Sequence, residues 1–507
     1  MIGIIPAAGK GLRFKELGKN YAKAILPYKE KPLLIHQIEW LEQHDCEAII
    51  IVLNHQIEGV KEIINYYNKK VIIKYQETQD GLSSAIFSAI KDYYDEEFLI
   101  ILGDILSTEN IFSGFFDRNF ISVKEVNDYS RWCMVKKIIS NEKVIFFDKP
   151  LIKPETNLAV SGVYFIKNGN NFYNLLNSQI EKNIKINNEY QLSTVLQEIA
   201  DTENMELINL KIIDFGTLEE YLNNRSVKNS RSFNEIINKD NFIIKSSKDK
   251  AEKLIKEFNW FKNLPEEISI HTPRLFSKNF YSENCHYTME KILAPSLREI
   301  YLFLDSSIET WTEIFNSCFY LLDKMKTFGR KNTFMKDVFE KTKNRINQIE
   351  IPIENKLVNN FLNDFKSLID LKNDIYSLMH GDFCFSNLLY DFKSSKIKMI
   401  DPRGELFGSH YYEIAKLFHS IIYDYDFVDS ELYIMKDSNY KLYNNGKKDI
   451  KDLFINKIEE RYSKEEIKYI KYITASLFLS MIPLHSHNTN NQKIYYDIFK
   501  NIYLEIL

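Results

Sequence analysis

An α/β chain of two domains is what this sequence predicts, the first half on a mostly parallel sheet and the second α+β with a largely helical remainder. Three observations predict it. The chain has 507 residues, more than one hydrophobic core sustains. Through the first 215 residues short apolar runs alternate with helix-period stretches, which argues a mostly parallel sheet with ligands at the strands' carboxyl ends. From residue 308 onward long amphipathic stretches dominate, interrupted near Pro352.

The opening stretch supplies the first strand. Ile2, Ile4 and Ile5 run through Pro6 into Ala7-Ala8-Gly9-Lys10-Gly11, with Arg13 and Lys23 following. Small residues at a strand end let the backbone approach a bulky anion with its N–H groups exposed, and Arg13 and Lys23 add fixed positive charge there. An ordinary strand and tight turn explains the glycines equally well. Residues 31–41 carry helical periodicity, 48–53 form a continuous apolar strand, 60–67 read as helix and 71–75 as strand.

A polar loop from Gln76 to Gly81 then leads into a helix start. An amide followed by a glycine is able to read a base edge by paired hydrogen bonds. Residues 98–102 are a buried strand ending at Gly103-Asp104, where a carboxylate is placed to hold Mg²⁺ against phosphate oxygens. Three further segments, around Asp148-Lys149, Ser161-Gly162 and Asp214-Phe215-Gly216-Thr217, each place a polar anchor at a strand edge.

Composition excludes several classes. With 66 basic and 70 acidic residues the net charge is -4, which favours small-molecule substrates and neither nucleic acid nor membrane insertion. Five scattered cysteines without CxxC spacing argue against a zinc site or disulfide framework and for a reducing cytoplasm. Neither a leader-like charged and apolar start nor a run of membrane-spanning length stands out, so a cytoplasmic location is expected. Oligomeric state is not legible.

In their order the first-half motifs resemble the nucleotidyltransferase family that makes nucleotide-activated sugars and cytidylylates phosphocholine. The resemblance covers residues 1–225 and implies a Rossmann-like domain. AAGKGLRF matches the family's AAGxGxRx loop, so Ala7, Ala8, Gly9 and Gly11 are expected to bind nucleotide and Arg13 and Lys23 its phosphates. Gln76 and Gly81 match the base-reading segment, Asp104 and Asp214 the metal aspartates, and Lys149 the acceptor-phosphate lysine. Pro6, Ala22 and Gln79 depart from the common pattern without removing a charge.

Residues 226–507 carry a second set. A short strand ends at Lys245, and a helical stretch over 248–264 bears Glu252 and Glu257, the strand-lysine and helix-glutamate pairing that positions ATP phosphates. His380-Gly381-Asp382-Phe383-Cys384-Phe385-Ser386-Asn387 is followed by Ile400-Asp401. These segments resemble the aminoglycoside phosphotransferase and choline kinase family, a variant of the protein-kinase fold, with a small lobe over 226–295 and a large lobe over 296–507. The resemblance implies that Lys245 and Glu257 bind ATP, Asp382 acts on the substrate hydroxyl, and Asn387 and Asp401 hold Mg²⁺. Pro402-Arg403-Gly404 stands where choline kinases have Trp-Glu, so Arg403 either meets an anionic acceptor or bridges to Glu405 or Glu413. His410, Tyr411, Tyr412, Glu413 and Lys416 are expected along the acceptor side, and His485 and His487 in loop or core.

The two resemblances together imply a bifunctional transferase with Mg²⁺ at both sites. The second half phosphorylates a small hydroxyl compound with ATP; the first caps that phosphate with a nucleotide, CTP being favoured, as a precursor for bacterial capsule or lipopolysaccharide. Choline or a related amino alcohol is placed ahead of a sugar or polyol as acceptor. A kinase-like half that only binds is the remaining alternative.

Overall fold

The computed structural model describes residues 1–9, 27–28, 31–53, 64, 69–76, 78, 80–138, 142–224, 235–239, 241–247, 251–280, 285–303, 306–371, 374–436, 439–442 and 447–507. Arg13, Lys23, Gly11 and most of the helix expected over 60–67 lie outside the described residues. The chain divides into two compact units, Met1–Ser226 and Val227–Leu507.

In the first unit β1 (Ile2–Pro6) lies between β2 (Ala48–Leu53) and β4 (Phe98–Ile101), and β3 (Val71–Tyr75) continues beyond β2, all parallel. Continuous apolar runs of isoleucine and leucine suit these strands because both sheet faces are covered. On one face α2 (Leu82–Ile90), α3 (Gly169–Glu181) and α4 (Leu192–Thr202) pack over Ile2, Ile4, Ile50 and Ile100. On the other, α1 (Leu33–Glu42) buries Leu34, Ile38 and Leu41 against Ile5, Ile49, Ile51 and Leu99.

The sheet is mixed beyond this parallel core. β9 (Leu158–Ile166) runs antiparallel to β4, to β6 (Asn119–Glu125) and to β7 (Cys133–Lys137), which pairs with β8 (Val144–Asp148). β10 (Met205–Asn209) returns parallel to β6. A register shift between Val160 and Tyr164 lets β9 switch neighbours, and Gly162 at φ +103° takes up the bend. A small antiparallel pair, β5 (Ile105–Ser107) with β11 (Ile212–Asp214), stands apart and leads into α5 (Leu218–Asn224).

The second unit opens with a four-stranded antiparallel sheet in the order β12 (Glu235–Asn238), β13 (Phe242–Ser247), β15 (Cys285–Glu290), β14 (Leu275–Asn279), with α6 (Ala251–Lys262) between β13 and β14 in the chain. The rest is mainly helical: α7 (Leu297–Phe303), α8 (Ile308–Lys326), α9 (Phe334–Ile346) and α10 (Asn355–Leu371) precede the hairpin β16 (Leu388–Asp391) and β17 (Lys396–Met399). α11 (His410–Ile421), α12 (Tyr425–Asp429), α13 (Lys464–Met481) and α14 (Thr489–Ile506) follow. The break around Pro352 between α9 and α10 is as the sequence predicts.

One expectation needs correction. Residues Lys464–His485 make a helix long and apolar enough to span a bilayer by length and composition, with 67% of its most apolar window buried inside the unit. Tyr469, Ile473, Leu477 and Phe478 are in the core, which explains its hydropathy. Scattered tyrosines and serines keep this run from standing out by eye.

Candidate active sites

In the first unit two carboxylates meet because β5 and β11 pair. Ile105 is the register partner of Asp214, and the Phe215 N–H donates to the Asp104 carbonyl at 2.8 Å. A Cβ built on Gly216 would lie 2.9 Å from Asp214 Oδ1 and 3.8 Å from Asp104 Oδ2, so both carboxylates face one small space. Burial pushes the Asp214 carboxyl above its usual range; Lys124 opposes the shift, while Asp104 and Glu220 add to it. Lys124 Nζ sits 3.3 Å from Asp214 Oδ2 and 3.9 Å from the centre of the Trp132 ring. No sequence motif flagged Lys124; only its register on β6 brings it here.

The opening loop adjoins this pair. The Gly103 N–H donates to the Pro6 carbonyl at 3.2 Å, and a Cβ on Gly103 would stand 2.8 Å from Ala7 Cα. Gly103 is therefore needed where β1 and β4 end, and Ala7, Ala8 and Gly9 are brought beside Asp104. Among the described residues, a Cβ on Gly9 would meet nothing within 4 Å.

Gln76 is buried, with Nε2 donating to Asp80 Oδ1 at 3.2 Å. Gly81, at φ +133°, would place a Cβ 2.5 Å from the Tyr190 backbone, so close approach by that segment, rather than by a ligand, is what demands glycine there. Lys149 follows β8 with φ +42° and donates its backbone N–H to the Trp132 carbonyl at 3.0 Å. The buried Tyr164 hydroxyl feels the charges of both Asp104 and Asp148, placing the end of β8 and Asp104 on the same end of the sheet.

In the second unit Lys245 of β13 is 1% exposed, with Nζ 2.5 Å from Glu257 Oε1 of α6 and 2.9 Å from Asp401 Oδ1. The Tyr287 hydroxyl donates to the same Glu257 oxygen at 2.6 Å. Burial works against the lysine's charge, yet the carboxylates of Asp401 and Glu257 outweigh it and raise its pKa. Glu252, earlier on the helix, pairs with Lys256 on the surface. Asp401 takes φ +56°, a strained backbone for a non-glycine residue.

A second cluster surrounds Asp382. Its Oδ2 accepts from Asn387 Nδ2 at 2.9 Å, and Lys416 Nζ lies 2.8 Å from its Oδ1. The spacing of five residues works because a 3₁₀ turn, Phe385–Asn387, folds the asparagine back onto the aspartate. His380 is fully buried, and burial pushes its pKa down to about 4. The neutral ring donates from Nε2 to the Ile400 carbonyl at 2.9 Å and accepts the Asp382 N–H at Nδ1 at 3.3 Å. With the Ile400 N–H bonded to the Asn387 carbonyl and the Arg403 N–H to the His380 carbonyl, the Asp382 and Asp401 loops are laced together.

The helix after Asp401 divides differently from expectation. His410 is buried against the Tyr462 hydroxyl at 2.7 Å, and Tyr411 donates to Glu466 at 2.6 Å, so both serve the core. Glu413 accepts the Gly381 N–H at 2.7 Å beneath the loop. Burial pushes its carboxyl up to about 8. Lys416 reaches the Asp382 carboxylate at 2.8 Å, and the Tyr412 hydroxyl accepts from Arg403 Nη1 at 3.4 Å. Arg403 bridges to Glu405 at 3.1 Å and lies over the Phe334 ring.

Among the described residues no group of three or more His, Cys, Asp or Glu side chains converges as a metal cage. Paired carboxylates at Asp104 and Asp214, and Asp401 beside Asn387, are hard oxygen donors of the kind that hold Mg²⁺ together with substrate phosphates.

A family model described as Nucleotidyl transferase matches residues 2–226. The chain is 30% identical over 213 residues to the bifunctional protein GlmU of Methanocaldococcus jannaschii, covering 41% of this chain and 49% of that protein. It is 29% identical over 117 residues to the UTP–glucose-1-phosphate uridylyltransferase AglF of Haloferax volcanii, covering 22% and 46%. The chain thus spans about half the length of the curated relatives it matches. A solved apo UDP-glucose pyrophosphorylase aligns at 22% identity over 43% of this chain and 94% of that one, with a TM-score of 0.38.

Proposed function

We propose that the first unit, whose residues 2–226 match the nucleotidyl transferase family model, transfers a nucleotidyl group to a phosphorylated hydroxyl compound, sugar phosphate ahead of phosphocholine. The observation that carries the reading is the convergence of Asp104 and Asp214 on one small space, with Gly103 packed against Ala7 where the glycine loop begins. An oxygen of the acceptor's phosphate bonds to the α-phosphorus of an NTP, the α–β bridging P–O bond breaks, and pyrophosphate leaves. Loop N–H groups and the proposed Arg13 and Lys23 stabilise the leaving charge, while Gln76, Gly81 and Lys149 are assigned to base and acceptor phosphate. Mg²⁺ held by Asp104 and Asp214 supplies charge neutralisation at the α-phosphate. The Haloferax volcanii relative, by name a UTP–glucose-1-phosphate uridylyltransferase, supports UTP as donor and a sugar phosphate as acceptor.

For the second unit we propose ATP-dependent phosphorylation of the hydroxyl compound that the first unit then consumes. It rests on the buried Lys245–Glu257–Asp401 triad alongside Asp382 and Asn387. Asp382 orients the acceptor hydroxyl and receives its proton as the oxygen bonds to the γ-phosphorus and the β–γ bridge breaks. Lys245, fixed by Glu257, meets the ATP phosphates, and Asn387 and Asp401 are the metal-binding pair.

The test is a single pot containing the protein, Mg²⁺, an unphosphorylated acceptor, ATP and one other NTP. Pyrophosphate release that requires both ATP and acceptor, with an NDP-linked product by mass spectrometry, is the expected result. Pyrophosphate release from phosphorylated acceptor alone, with no ADP formed from any acceptor, would remove the kinase and leave the transferase.

A further inference from the structure

On α11, Glu413, Lys416 and Ser420 follow one another at intervals of three and four residues and so share one face of the helix. That face meets the Asp382 loop point by point. Glu413 accepts the Gly381 N–H at 2.7 Å, Ser420 Oγ accepts the Phe385 N–H at 3.2 Å, and Lys416 Nζ lies 2.8 Å from Asp382 Oδ1. The first two contacts hold main chain, while the third is to the side chain proposed to act on substrate. With Glu413, Ser420 and the bonds to the Asp401 loop in place, the loop backbone is held without the lysine.

The setting of this lysine favours a role for its charge. Its side chain is 12% exposed and that of Asp382 42%, so the carboxylate is open to an incoming hydroxyl while the ammonium is held beside it in drier surroundings. Charges act more strongly there than in water. Burial works against the lysine's charge, yet the Asp382 carboxylate outweighs it and raises its pKa. An ammonium carries three donors, and among the described residues Asp382 Oδ1 is the acceptor it meets. Holding a carboxylate oxygen takes a single neutral donor, as Asn387 does at Oδ2 at 2.9 Å. A full charge at Oδ1 adds stabilisation for negative charge that arrives with substrate.

Phosphoryl transfer brings such charge to this place. The group in flight spreads its charge over three equatorial oxygens. Its phosphorus is attacked by the hydroxyl that Asp382 orients, so those oxygens pass close to the neighbour of that carboxylate. Between Asp382 and Asn387 the loop itself offers Phe383, Cys384, Phe385 and Ser386, none of them a cation. Lys245 is bound to Glu257 and Asp401, and Arg403 to Glu405. We infer that Lys416 is a catalytic residue of the second unit, its ammonium resting on Asp382 before substrate binds and bonding a non-bridging oxygen of the γ-phosphoryl group during transfer. As the acceptor oxygen bonds to the γ-phosphorus and the β–γ bridge breaks, the hydroxyl proton passes to Asp382. The neutral carboxyl then releases the lysine, which stays protonated throughout. The inference rests on the phosphoryl-transfer reading above.

The experiment measures acceptor-dependent ADP release by the full chain with ATP, Mg²⁺ and hexoses, glycerol, choline or ethanolamine. In Lys416→Met, kcat should fall about 10²- to 10³-fold, with KM for ATP and for the acceptor unchanged. Lys416→Gln, which keeps a donor for Asp382 and loses the charge, should fall as far, and it carries the test if the methionine variant is unstable. ADP with aluminium fluoride, Mg²⁺ and acceptor, a mimic of the phosphoryl group in flight, should bind both variants more weakly than the unsubstituted protein, with ADP alone bound equally. Full kcat in Lys416→Gln, or undiminished binding of the mimic, would reduce the lysine to a holder of Asp382 and overturn the inference while the kinase stands. Absence of acceptor-dependent ADP from the unsubstituted protein with every compound would overturn the phosphoryl-transfer reading and this inference together.

Discussion

The two units hold their acidic groups in opposite ways. In the second, each functional carboxylate comes with its cation: Asp401 with Lys245 and Asp382 with Lys416, at 2.9 and 2.8 Å. In the first, Asp104 and Asp214 crowd each other, Lys124 offers Asp214 one contact at 3.3 Å, and burial still leaves the Asp214 carboxyl raised. Prepaired charges fix side-chain geometry before substrate arrives, whereas like charges held together favour a bound cation over an empty site. The proposed phosphoryl-transfer site, built on positioning, and the proposed nucleotidyl-transfer site, built around metal-held phosphate, fit these two designs.

The comparison is most directly broken by activity. Asp382→Asn is expected to lower acceptor-dependent ADP release by about 10²- to 10⁴-fold and to leave pyrophosphate release from a phosphorylated acceptor intact. Next in size, Asp104→Ala should cut pyrophosphate release by about 10²- to 10³-fold with ADP release unchanged. Loss of both activities in either folded variant would mean that the sites are not separate.

Stability sharpens the same contrast. Lys245→Met strips the cation from Glu257 and Asp401 in a dry setting and should destabilise by about 3–5 kcal/mol in chemical denaturation. Lys124→Met removes a cation from a partly exposed pair and should cost about 1 kcal/mol or less. Equal losses would erase the distinction between the two sites.

A further contrast lies in pH dependence. Glu413, with its carboxyl raised to about 8, binds a proton in the folded state that it releases near its ordinary pKa when unfolded. The folded state therefore holds more protons between these values, and stability falls as pH rises towards 8, by at most about 1.4 kcal/mol per pH unit from this group. Glu413→Gln imitates the protonated acid and should flatten that slope in pH-dependent melts. An unchanged slope would place the titrating group elsewhere.

Much of this was readable from the chain because local rules suffice. A strand ending in Gly103-Asp104, a turn of five residues from Asp382 to Asn387, and helix breaks at Pro352 need only neighbours in sequence. Other features were illegible for a definite reason. Lys124 lies 90 residues from Asp214 and is an ordinary strand lysine until β6, β9 and β11 are set beside one another. Gly81 read as room for a ligand, yet the Tyr190 backbone fills it. His410 and Tyr411 had the right spacing to follow Asp401, but the rotation of α11 turned them into the core and left Lys416 at Asp382.

By itself the sequence determined the order of elements and the chemistry available at their ends: which strands finish in carboxylates, where glycine frees the backbone, which lysine precedes which glutamate. The tertiary structure alone decided which of those groups meet. It chose Glu257 over Glu252 for Lys245, gave Asp382 the lysine of α11, and gathered Arg298, His419, Tyr425 and Tyr495 from four helices into one buried cluster. Hydrogen bonds and ion pairs act over a few ångströms, and residues as far apart in sequence as Lys245 and Asp401, 156 positions, come within that range only through the packing of the whole unit.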